Sequence, residues 1–114
     1  MSRFGRTLRS EREGAKLSLR AFAQMIGLSP AYLSKVERGI EKPPTKERVI
    51  EIAKQLDMNE DLFLLEAGHL PDYLDWIIRR QPVAMSDLVR ACAGLTFTQI
   101  EYLTLAAKKM KENQ

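Results

Sequence analysis

The sequence predicts an all-α protein, and three observations carry that prediction. Apolar residues recur at helical spacing, as in Leu19, Phe22, Ala23 and Ile26. The stripes tend to open after a Ser, Thr or Asn and to close at a Gly or Pro. No stretch shows the two-residue alternation of a half-buried strand. A chain of 114 residues holds one compact domain, or a small domain with an accessory element, and not two large cores. With 45% apolar and 29% charged residues it has the composition of a soluble globular protein.

The elements follow in order. Phe4 and Leu8 lie one turn apart among Arg and Glu, which predicts a first helix ending at Gly14. Ser18 is a suitable N-cap for a second helix, closed by Gly27 in the left-handed conformation. Ser29 and Pro30 restart the chain as N-cap and first helical residue, a position where the missing N–H of proline costs nothing. Leu33 and Val36 face inward in this third helix, which ends near Arg38 and Gly39. Pro43 and Pro44 force an extended loop. Thr45 then caps a fourth helix with Val49, Ile50, Ile52, Ala53 and Leu56 inward. Asn59 caps a fifth, bearing Leu62, Phe63, Leu64 and Leu65, with Glu60 and Asp61 at its positive end and Gly68 closing it.

From Leu70 the helical pattern belongs to a different unit. Pro71 opens a helix with Leu74, Trp76, Ile77 and Ile78, ended by Pro82; Met85, Leu88, Val89 and Cys92 form a second stripe up to Gly94. For the last helix two capping frames are open. Thr98 with Glu101 has capping-box spacing, with Phe97 and Tyr102 as a hydrophobic staple, and Thr96 with Gln99 is equally allowed.

Charge and cysteine content narrow the function. The net charge of +3 divides unevenly: residues 1–56 hold twelve Arg or Lys against six acids, and residues 57–114 hold six against nine. A basic half joined to an acidic half suits a polyanion-binding module carrying an association module. The start, Met1-Ser2-Arg3-Phe4-Gly5-Arg6, places charges where a signal peptide needs apolar residues. No long uncharged apolar run follows, so a cytoplasmic protein without a membrane segment is expected. One cysteine, Cys92, and one histidine, His69, give no disulfide and no zinc-ligand set, so no metal or cofactor is expected. An enzyme using Asp72, Asp75 or His69 lacks supporting geometry, because these residues cluster around a helix start where acids cap and solvate.

The second and third helices, joined through Gly27-Leu28-Ser29, form two short helices around a tight glycine-containing turn. Across about Phe4 to Gly68 the sequence resembles the phage-repressor-like, or Xre-type, helix-turn-helix family. The resemblance rests on Leu8-Arg9, Arg12, Leu17-Ser18, the run from Phe22 to Gly39, Pro43-Pro44, and Ile52 to Leu56. It implies a five-helix repressor-like DNA-binding domain over residues 1–68, and leaves residues 69–114 as a helical C-terminal extension for dimerisation or partner binding.

The resemblance also implies site residues. Arg12 and Glu37 match the family's buried ion pair between the first helix and the recognition helix. Ser29, Pro30, Ala31, Tyr32, Ser34 and Lys35 lie on the groove-facing side of the third helix. Ser18, Arg20, Ser29, Arg38 and Lys42 fall where similar proteins meet phosphates. Family members often carry Gln or Asn at the positions of Pro30 and Ala31, and this chain offers only apolar contact there. Lys35 is left to reach guanine, and DNA shape is expected to contribute to specificity. Tyr32 is open between packing at the helix edge and contact with DNA.

The expected function is therefore a sequence-specific, double-stranded-DNA-binding transcriptional regulator, a repressor acting as a homodimer on a two-fold operator. The alternative is an antitoxin-like or adaptor protein, whose C-terminal helices grip a protein partner while DNA binding is weak or secondary. In the C-terminal extension, Trp76, Ile77, Ile78, Leu88, Val89, Ile100, Leu103 and Met110 exceed what a short self-packed tail needs. Dimerisation and completion of the monomer's own core both remain open for them.

Overall fold

A computed structural model describes residues 3–114. The start read at Met1 and Ser2 lies outside the described residues. Among those described, every regular element is a helix: α1 (Arg3–Gly14), α2 (Leu19–Ile26), α3 (Pro30–Glu37), α4 (Lys46–Gln55), α5 (Glu60–Glu66), α6 (Asp72–Arg80), α7 (Pro82–Ala91) and α8 (Phe97–Glu112). This is the all-α, repressor-like fold that the periodicity and the resemblance anticipated. None of these helices is long and apolar enough to cross a membrane.

Local chemistry fixes the helix starts. The side chains of Ser18, Ser29, Thr45 and Asn59 each accept a backbone N–H three residues on, at the starts of α2, α3, α4 and α5, satisfying one orphan donor per helix. Gly27 closes α2 at φ 70, a left-handed conformation that a Cβ disfavours. At its C-terminal end α1 stops at Gly14, as expected. The left-handed residue in the turn beyond it is Lys16, at φ 60.

The chain divides into two compact units, one reaching Asp72 and the other spanning Tyr73–Gln114. In the first, five helices surround one core made of Phe4 and Leu8 from α1, Phe22, Ala23 and Ile26 from α2, Leu33 and Val36 from α3, Val49, Ile52, Ala53 and Leu56 from α4 and its cap, and Phe63 and Leu64 from α5. Phe4 stacks on Phe63 with ring centroids 4.3 Å apart, joining the first and last helices of the unit, and Thr7 Oγ1 donates to Glu66 Oε2 at 2.7 Å between the same two helices. Of the four apolar residues of α5, Leu62 and Leu65 are exposed. A seven-residue helix turns only part of its surface to the core, and Phe63 and Leu64 occupy that part.

Gly5 permits the close approach of α1 to α3. A Cβ at this position would lie 2.5 Å from the Glu37 carbonyl oxygen and 2.6 Å from that of Val36, distances that backbone atoms cannot accommodate.

The second unit is built differently. No residue of α6, α7 or α8 is buried. Pro82 is the first residue of α7. The last helix uses the earlier of the two capping frames: Thr96 Oγ1 accepts the Gln99 N–H, and Gln99 Oε1 accepts the Thr96 N–H. The Thr98–Glu101 frame is not used, and Phe97 and Tyr102 are both largely exposed and form no staple. Leu88, Cys92, Ile100, Leu103, Ala107 and Met110 line an open apolar groove of about 410 Å³ between α7 and α8.

Candidate nucleic-acid interface

Helix α3 sorts its residues by face. Leu33, Val36 and Glu37 are buried, while Pro30, Ala31, Lys35 and Arg38 are exposed and Ser34 is half-buried. Ala31, Ser34, Lys35 and Arg38 are separated by three or four positions, so they share one side of the helix. The one acid in α3, Glu37, is turned into the protein.

Its partner there is Arg12. Arg12 Nε donates to Glu37 Oε2 at 2.7 Å and Nη2 to Oε1 at 3.0 Å, a bidentate pair whose side chains are 9% and 5% exposed. Nη1 of the same guanidinium donates to the Leu17 carbonyl at 2.7 Å. One side chain thus ties α1 to α3 and to the strand of chain that enters α2. Donating to Glu37 raises the Arg12 pKa above its ordinary value, against the opposing effect of burial. Desolvation offsets much of what such a pair gains, so its main effect is to fix geometry; breaking it leaves a buried charge unmet.

With Glu37 withdrawn, the exposed charges of α2, α3 and the C-cap of α3 are all positive: Arg20, Lys35 and Arg38. Ser18 and Ser29 are both exposed, and their hydroxyl oxygens accept the amides of Ala21 and Tyr32 at 3.0 and 3.1 Å. Each hydroxyl proton stays available as a donor to an anion. Arg38 Nε lies 3.2 Å from Ser34 Oγ, which steadies it at the end of α3. Lys42 is exposed in the loop beyond. Tyr32 is half-buried and packs against the core, the packing alternative that the sequence left open for it.

The residues read from the sequence as DNA-facing (Ser18, Arg20, Ser29, Pro30, Ala31, Tyr32, Ser34, Lys35, Arg38 and Lys42) are therefore all at least partly accessible. Arg12 and Glu37 lie together beneath them. Sequence reasoning missed two supports. Gly5 was legible only as a glycine inside a helical pattern, which signals close packing. Arg48, on α4, donates through Nη1 to the Ile26 carbonyl, a contact between positions far apart in sequence with no local signature.

Residues 8–63 match the helix-turn-helix family. Through these residues the chain belongs to that family. An uncharacterised HTH-type transcriptional regulator of Mycobacterium tuberculosis is 41% identical over 66 residues, covering 58% of this chain and 46% of the relative. The uncharacterised HTH-type transcriptional regulator RghRB of Bacillus subtilis is 33% identical over 70 residues, covering 61% of this chain and 50% of its own. The chain spans about half the length of these curated relatives. Among solved structures, a chain of the SinR protein/SinI protein complex superposes with a TM-score of 0.51 at 23% identity, covering 97% of this chain and 99% of that one; this is a likeness of fold alone. The helix-turn-helix match includes α2, α3 and the turn at Gly27, together with Arg12, Glu37, Lys42 and Arg48.

Proposed function

We propose that the helix-turn-helix unit binds double-stranded DNA and that the chain is a transcriptional regulator, a repressor that occupies its operator by setting α3 into the major groove. The observation that carries this reading is the exposed side of α2 and α3, on which every charge is positive because the only acid of the pair is held inside by Arg12. A major groove about 12 Å wide admits a helix of this kind. Ala31 suits apolar contact with a thymine methyl, Lys35 suits guanine, and Arg20, Arg38, Lys42 and the capping hydroxyls of Ser18 and Ser29 suit phosphates.

Residues 1–68 then serve as the DNA-binding domain and residues 69–114 as the extension through which two copies associate. Paired readers about 34 Å apart match successive turns of a two-fold operator. A helical unit with no buried residue and an apolar groove favours association, either with a second copy or, on the adaptor reading, with a protein partner.

Retardation of fragments of the source genome on a gel tests the proposal. At about 1 µM protein and low salt a specific site is expected to be fully occupied, since specific affinities run from about 10⁻⁸ to 10⁻¹¹ M. Failure to retard any fragment would contradict DNA binding and leave the adaptor reading in its place.

A further inference from the structure

The turn between α2 and α3 is held from outside by α4. At the end of α2, the Gly27 amide reaches the Gln24 carbonyl and the Leu28 amide reaches that of Ala23 at 2.9 Å, so these two terminal carbonyls are met within the turn itself. The Ile26 carbonyl is met by Nη1 of Arg48. The guanidinium lies over the turn: a Cβ on Gly27 would sit 3.8 Å from both Nη1 and Nη2. Glu51, one turn further along α4, places a carboxylate oxygen 3.5 Å from Nη1. The arrangement sets a cation at the negative end of the α2 dipole, on the one stretch of chain that decides where α3 begins. Ser29, the N-cap of α3, follows Gly27 by two residues, which leaves no slack to absorb a movement of the turn.

We propose that Arg48 is a positioning residue for DNA readout: it pins the C-terminal end of α2 and thereby fixes the angle at which α3 is presented to base edges. The inference rests on the DNA-binding reading above. Groups that recognise a ligand need to be held to within about 0.5 Å by the residues behind them, and Arg48 supplies that support from a helix outside the reading pair. Its charge serves the turn and not a phosphate, although the side chain is 37% exposed. This distinguishes it from Lys42, whose ammonium has a purely electrostatic use.

The difference can be measured. Arg48→Met keeps the aliphatic stem and removes the donors; Arg48→Lys retains a cation able to reach the carbonyl. Affinity for a retained genomic fragment is measured across a salt series, beside Lys42→Ala, and amide exchange is followed in the free proteins. Arg48→Met is expected to weaken binding about tenfold, because a reading helix no longer held in place loses part of its fit to the base edges, and to speed exchange at Leu28. The slope of log K against log salt stays unchanged, where Lys42→Ala lowers it by about 0.9. Arg48→Lys is expected to recover most of the affinity.

A slope that falls by about 0.9 in Arg48→Met would make Arg48 a phosphate contact and overturn the proposal. Unchanged affinity together with unchanged exchange at Leu28 would overturn it too, while leaving DNA binding intact. Absence of binding by the unaltered protein would sink the DNA reading itself.

Discussion

The two units of this chain are made of the same kind of helix and reach opposite ends of the burial scale. Helices α1 to α5 enclose a core in which Phe4, Phe22, Leu33 and Phe63 have no exposed surface. Helices α6 to α8 hold no fully buried residue, and Val83 and Phe97 are each 76% exposed. The first unit is complete by itself and spends its surface on charge. The second leaves much of its apolar surface uncovered, the feature on which the proposed association rests. Amphipathic periodicity by itself does not show which of these a helix will do. What separates them is whether neighbouring stripes converge, as those of Leu8, Phe22, Leu33, Val49 and Phe63 do.

The comparison breaks most sharply at the buried pair. Arg12→Ala or Glu37→Ala is expected to destabilise the first unit by about 3–5 kcal/mol, because one charge is left buried without a partner. Urea unfolding followed by circular dichroism measures it; a loss below about 1 kcal/mol would be the surface-pair result and would contradict the reading. Gly5→Ala comes next. Alanine favours an ordinary helix interior by about 1 kcal/mol, but here its methyl meets two backbone carbonyls. The expected outcome is a net loss of about 1–3 kcal/mol, and a gain in melting temperature would show that α1 and α3 are not so closely packed.

In the second unit the expected change lies in association and not in folding of the first. Leu103→Glu, in the groove between α7 and α8, is expected to weaken self-association by one to two decades in Kd, from about 1.5–3 kcal/mol of lost apolar burial. Sedimentation at graded concentration reads this out, and the urea transition of the first unit should stay where it was. An unaltered protein that remains monomeric at all concentrations would remove the second copy as the occupant.

Much of this was legible from local chemistry. The caps at Ser18, Ser29, Thr45 and Asn59, and the glycine at Gly27, act within three or four residues of themselves, so spacing alone places them. Most of the first core follows from helical periodicity for the same reason. What was not legible is set by distant parts of the chain. The Arg48 contact depends on α4 crossing the end of α2, and the need for glycine at position 5 depends on how near α3 comes. The exposure of Leu62 and Leu65 follows from four consecutive apolar residues spanning all faces of α5, of which the core takes only one. The choice of Thr96 over Thr98 was undetermined because both frames are chemically sound. Of the candidate interface, the accessible side of α3 could be read from the residues and the resemblance, whereas the packing of Tyr32 could not.

The smallest expected effect concerns acid stability. The hydrogen bond and charge of Arg9 hold the fully exposed Glu13 carboxyl below its ordinary value of 4.5. A depressed carboxylate contributes stability that is present above the ordinary value and lost as pH falls through the lowered one. Glu13→Gln should therefore lower the melting temperature slightly at neutral pH and match the unaltered protein as pH falls well below 4.5, where the carboxylate is protonated in both states. A difference that persists undiminished in acid would contradict the assignment.

The outward side of α3 as the reader of DNA sequence is tested most directly by comparing two lysines. Affinities of Lys35→Ala and Lys42→Ala are measured for a retained genomic fragment and for random duplex at fixed salt. Lys35→Ala is expected to cost about 1–3 kcal/mol on the specific fragment and little on random DNA, while Lys42→Ala weakens both alike. Equal losses from the two variants on both kinds of DNA would contradict the account.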